Sequence, residues 1–192
     1  MFFRRLQLII ENSLDRACYH EAAHLLIGKV FGLKYDHDSV AILIDWGKEH
    51  VTYIESEYME EDKQSDIVKK LICSQAGQEI EELIFGHPFP EGILSDNANI
   101  QILVHQLANL NPEINKDTVI DNCRMICVDV LKSNLVHIKR IVNRLKAKLI
   151  LMIDEADALI PSNIKIDDQQ GIKIEMKVIS SKPITTIFDA GN

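Results

Sequence analysis

The sequence predicts a mainly helical α+β fold, a helical body with a small β-hairpin early in the chain and a short β appendage at its C-terminal end. Three observations predict it. Apolar residues recur three and four apart through most of residues 12–150, two β-like runs flank a polar stretch at 45–50, and beyond Pro161 apolar and polar residues alternate. A chain of 192 residues suits one domain of about 150 residues with an appendage, and the change of texture divides it into 1–160 and 161–192.

Each element follows from local signals. Residues 12–31 read as a helix with Ser13 as N-cap and an apolar face of Leu14, Ala17, Leu25, Leu26 and Val30, weakened near Gly28 and Gly32. The runs 39–44 and 51–55 form the predicted hairpin across the polar residues 45–50. A second helix spans 65–85 and stops at Gly86, with Pro88 and Pro90 just beyond. Ser95 caps a third over 96–110, a fourth covers 116–132, and a fifth starts near Ser133 with Leu135, Ile138, Val142, Leu145 and Leu149 at helical spacing. In the tail, Ile164, Ile166, Ile172, Ile174, Met176 and Val178 alternate with polar residues around Gly171, which reads as a second hairpin, with 184–188 as a further short strand. The chain has no internal repeat and no low-complexity tract.

Composition narrows the function. Hydrophobic residues at 46% and charged residues at 26% exclude a disordered chain. A net charge of −8, from 21 basic and 29 acidic residues, argues against nucleic acid or an anionic membrane as the main partner. The opening MFFRRLQLII is too short an apolar stretch for an export signal or a spanning helix, so a cytoplasmic protein without membrane insertion is expected. The four cysteines fit reduced, buried thiols, Cys123 and Cys127 among them, because a chain of this size buries a core without staples.

The chemistry concentrates in His20-Glu21-Ala22-Ala23-His24, an H-E-x-x-H pattern. On a helix, residues four apart share a face, so both imidazoles can bind one cation while Glu21 stands beside them to take a proton from metal-bound water. Zinc suits two neutral imidazoles plus an oxygen ligand. The alternative is two surface histidines on an ordinary helix. The metzincin continuation is excluded, because Ile27 and Val30 stand where it needs glycine and histidine. Candidates for the third ligand are Glu81, Glu82, His87, Glu91, Asp96 and His105. Asp96 is favoured, because the first turn of a helix stabilises an ionised carboxylate.

Four blocks in order resemble the protease domain of the FtsH-type ATP-dependent zinc metalloproteases. Residues 14–24, LDRACYHEAAH, are similar to the family's zinc helix, and 76–86, AGQEIEELIFG, to its G-G-R-x-A-E-E-L-I-F-G helix. Leu94-Ser95-Asp96 with Ile100, Leu103 and Val104 resembles the segment holding the third ligand, and 131–149 the closing helix. The resemblance covers about 13–155. It implies a zincin-like metalloprotease domain with the hairpin near the active site, His20, His24 and Asp96 as zinc ligands and Glu21 as general base. It further implies Glu81 or Glu82 as the partner that orients a zinc-bound histidine, and Val51, Thr52, Tyr53 and Ile54 as an edge strand that pairs with extended substrate.

This sequence departs from the family at Ala23, where the family has glycine, at Gln78, where it has arginine, and at Ser95, where it has asparagine. Nor is there a G-x-x-x-x-G-K-[ST] phosphate loop or a transmembrane segment, so the resemblance implies a stand-alone protease domain. Its expected partners are polypeptide substrates, another copy of itself, or a separate ATPase or adaptor. Residues 149–155 imitate a nucleotide-binding strand, but with no phosphate loop they have nothing to hold. His37, His50, His87, His105 and His137 read as surface or packing residues. The expected function is a zinc metallo-endopeptidase for unfolded or flexible polypeptides. A catalytically silent module that binds partners through the edge strand is the alternative, and a zinc hydrolase of a small non-peptide bond is a third.

Overall fold

The computed structural model describes residues 2–33, 39–41, 43–45, 48–50, 64–90, 92–166 and 168–180. The first helix, α1 (Phe2–Val30), starts ten residues before the expected boundary, because nothing from Phe2 to Asn12 breaks a helix; Ser13 lies inside it and caps nothing. From Ala17 onward α1 is buried on almost every side. Its small residues, Ala17, Ala22 and Ala23, let neighbours approach closely, and Leu25, Leu26 and Ile27 fill the space between them.

Around this central helix pack α2 (Gln64–Ser74), α3 (Ala76–Phe85), α5 (Lys116–Ser133) and α6 (Leu135–Lys148), while α4 (Leu94–Leu110) lies against α2 and α5. The helix expected over 65–85 is two helices. It breaks at Gln75, whose backbone N bonds Ile72 O at 3.3 Å in a tighter turn and whose side chain reaches Ile120 O on α5 at 3.1 Å. The break gives α3 its own direction against α1. α5 is capped by Asn115, whose side chain accepts from Thr118 N at 2.9 Å.

The β elements differ from expectation. The run at 39–44 divides into β1 (Ser39–Ala41) and β2 (Leu43–Asp45), which join different two-stranded sheets. β2 pairs antiparallel with β3 (Lys48–His50), Asp45 opposite Lys48, so the hairpin closes within the stretch read as its loop. Residues 51–55, the predicted partner strand, lie outside the described residues. β1 instead pairs with β4 (Ile150–Met152), Val40 opposite Leu151, so the segment that imitates a nucleotide-binding strand is a short strand running into α7 (Ile153–Leu159).

The predicted C-terminal hairpin is corrected as well. After a 3₁₀ turn at Ser162–Ile164 comes a helix, α8 (Asp168–Ile179), packed on α2 and α5. The alternation at 172, 174, 176 and 178 also suits a helix of this length, because residues two apart lie on nearly opposite faces and residues four apart on the same one. Ile174 and Val178 are buried, whereas Ile172 and Met176 are exposed. The stretch 184–188 lies outside the described residues. Among the described residues, no helix is long and apolar enough to cross a membrane.

Candidate metal centre

α1 brings His20, Glu21 and His24 to one place, and the burial of this helix turns all three side chains into the protein. They are 7%, 2% and 1% exposed, which excludes the reading of two surface histidines. Asp96 arrives from α4 and is 4% exposed. That helix starts at Leu94 rather than after Ser95; Ile93 occupies the cap position without a side-chain hydrogen bond, and Ser95 faces outward. Asp96 still sits in the first turn, where the helix dipole favours its charge.

Three atoms converge. His20 Nε2 and His24 Nε2 are 3.1 Å apart, and Asp96 Oδ2 lies 3.2 Å from the first and 3.3 Å from the second. The opposite ring nitrogens are committed elsewhere. His20 Nδ1 donates to Glu81 Oε1 at 2.8 Å, and His24 Nδ1 donates to the Cys73 carbonyl at the end of α2 at 2.9 Å. Both partners are acceptors, so the Nδ1 atoms carry the protons and the Nε2 lone pairs face each other and a carboxylate. Three acceptors at this spacing repel unless a cation, or a proton on one Nε2, lies among them.

Charge and hydrogen bonding agree with that. Asp96 Oδ2 is buried and, despite its distances to the imidazoles, has no hydrogen-bond partner among the described residues; the same holds for Glu21 Oε1. Burial by itself would raise the Asp96 carboxyl, but the imidazoles of His24 and His20 hold it well below the usual carboxylate range. For His20, burial disfavours the charged ring, yet the carboxylates of Asp96 and Glu81 at its two nitrogens outweigh this and push it up to about 10. The edges of the triangle match the roughly 3.3 Å separation of donors bound tetrahedrally at about 2.0–2.2 Å to one ion. His20, His24 and Asp96 could thus hold a metal ion.

No family model and no curated protein matches this chain.

The structure separates the remaining candidates. Glu81 is 2% exposed and touches His20, whereas Glu82 is exposed. His87 is exposed and lies against Arg16, His105 is exposed beside Lys116, and Glu91 lies outside the described residues. Cys18, Cys73, Cys123 and Cys127 are free, buried thiols. Cys73 serves through its backbone; burial pushes its thiol up to about 12, and its Sγ donates to the His24 carbonyl at 3.7 Å.

One residue of the site escaped the sequence reading. A Cβ at Gly77 would lie 2.1 Å from His20 Cε1 and 2.3 Å from Nε2, so the imidazole rests on bare backbone of α3. The available signal was a glycine in the middle of the helix expected over 65–85; in the structure it is the second residue of α3.

Proposed function

We propose that this chain is a zinc-dependent metallo-endopeptidase acting on unfolded or flexible polypeptides. One observation carries the reading. A cluster of two imidazoles and a carboxylate stands beside a buried Glu21 whose Oε1 is unpartnered and lies 3.9 Å from His20 Nε2. Two neutral imidazoles and one carboxylate suit zinc and leave a coordination position for water. The ion would supply Lewis acidity there, polarising a scissile carbonyl and lowering the pKa of water.

The rest falls to the chain's own residues. Burial pushes the Glu21 carboxyl up to about 6 against the opposing pull of His20 and His24, which places it near neutrality, where a general base both accepts and returns a proton. Glu21 would take the proton of the attacking water and pass it to the leaving amine. Glu81 and the Cys73 carbonyl hold the two rings in the tautomer that presents Nε2 inward. All four central residues are at most 7% exposed, so the substrate that suits them is a thin extended segment rather than a folded surface. Val51, Thr52, Tyr53 and Ile54 are proposed as the strand that pairs with it, and folded proteins would need delivery by a separate ATPase or adaptor. The resemblance to FtsH-type proteases supports the same reading.

The test is cleavage of a quenched, unfolded protein by zinc-loaded wild type and Glu21→Gln, with zinc content measured in both. Turnover should fall about 10²–10⁴-fold in the variant while zinc is retained. Zinc bound at full occupancy with no turnover in wild type would reject the peptidase and favour the silent binding module.

A further inference from the structure

We propose that Arg16 is a positioning residue for the metal centre, one that touches none of the three ligands yet sets where Asp96 stands. The role rests on the reading that His20, His24 and Asp96 hold a cation.

Arg16 lies one helical turn before His20 and on the same face of α1. Its side chain is 11% exposed and engages the turn that joins α3 to α4. Nη1 donates to the His87 carbonyl at 3.0 Å, Nη2 donates to His87 Nε2 at 3.3 Å, and the guanidinium sits 4.4 Å from the centroid of the Phe85 ring. The chain reverses at Gly86, whose φ of 80° suits glycine, so these contacts grip the turn where it begins.

A second grip follows from Glu81. Its Oε1 holds His20, its Oε2 accepts from Phe89 N at 2.6 Å, and Arg16 Nη1 lies 3.5 Å from that same Oε2. Arg16 and Glu81 therefore pin the chain at His87 and Phe89; Gly92 N bonds Phe89 O at 3.1 Å, and α4 starts two residues later, with Asp96 in its first turn. Cutting the first pin frees the start of α4 to shift against α1, and with it the 3.2 Å and 3.3 Å separations on which the third ligand depends. The job suits a planar fork that spans a carbonyl, a ring nitrogen and an aromatic face; a lysine ammonium spans only one of them.

The experiment is zinc titration of wild type, Arg16→Ala and Arg16→Lys, each also in an Asp96→Asn background. Arg16→Ala should weaken zinc binding about 10–100-fold, the usual cost of losing a group that supports a ligand, with little rescue by lysine. In the Asp96→Asn background the same change should have little further effect, because the ligand being positioned is gone. Undiminished affinity in Arg16→Ala, an equal loss in both backgrounds, or full rescue by lysine overturns the proposal while leaving the metal centre standing. Wild type that takes up no zinc overturns the metal centre itself, a separate result. Circular dichroism of each variant identifies any that does not fold, and Arg16→Lys keeps the test decisive if Arg16→Ala is one of them.

Discussion

Two groups of buried polar side chains lie in the same helical body and are built on opposite terms. Where α5 meets α3, α8 and the break before α3, the donors and acceptors are matched. Asn122, 1% exposed, donates to the carbonyls of Lys177 and Val178 at 3.2 and 3.3 Å; Glu79 faces Arg124 at 2.8 Å; and Gln75 bonds Ile120 O at 3.1 Å. Where α1 meets α4 they are not. Glu21 Oε1 and Asp96 Oδ2 are two of the three buried side-chain polar atoms without a hydrogen-bond partner among the described residues, the third being His137 Nδ1. Buried groups without hydrogen bonds cost about 1–3 kcal/mol each, and the unsatisfied cluster is the one that the proposed ion would complete.

That contrast breaks most visibly at Gly77. Gly77→Ala places a methyl where the His20 ring lies and displaces the ring from Glu81 and from the cluster together. Overpacking of this kind costs about 1–3 kcal/mol, and metal affinity should drop by at least the 10–100-fold typical of a misplaced support. Thermal unfolding of metal-free protein and zinc titration read the two effects separately. Asn122→Leu is the counterpart at the matched cluster. It removes the side-chain amide that donates to two carbonyls at the end of α8, which should cost about 1–3 kcal/mol, speed amide exchange through α8 and leave zinc affinity unchanged. A change in zinc affinity would show that the two clusters are coupled.

How much of this was readable beforehand depended on how local each requirement is. His20 and His24 are four apart on one helix, so their convergence needs only the helix; a first-turn position favoured Asp96 as a ligand, but its meeting them depends on where α4 packs. Glu81 and Glu82, by contrast, are neighbours pointing about 100° apart, and which one meets His20 depends on how α3 is rotated after the break at Gln75. Gly77 matters because of a ring that comes from a different helix, which its own neighbours in sequence do not reveal. The pairing of β1 with β4 is a long-range contact of the same kind. In the tail, alternating apolar residues fit a strand and a short helix alike, and only the surfaces of α2 and α5 favour the helix that buries Ile174 and Val178.

The smallest expected effect sharpens the contrast most, because its sign is reversed. Replacing a buried polar side chain ordinarily destabilises a protein. At Glu21 the buried group is a carboxylate with an oxygen that has no hydrogen bond, and burial, helped by the charges of Asp96 and Glu81, disfavours its ionisation by more than His20 and His24 favour it. Glu21→Gln keeps the shape and removes the charge. Metal-free Glu21→Gln should therefore be more stable than wild type by about 1 kcal/mol, the size of gain seen when a strained functional group is relieved. Denaturant unfolding at neutral pH measures it. A gain at Glu21 beside a loss at Asn122 would mean that the first cluster is held open at the expense of stability. A loss at both would mean that Glu21 contributes to the fold in the same way as the matched cluster does.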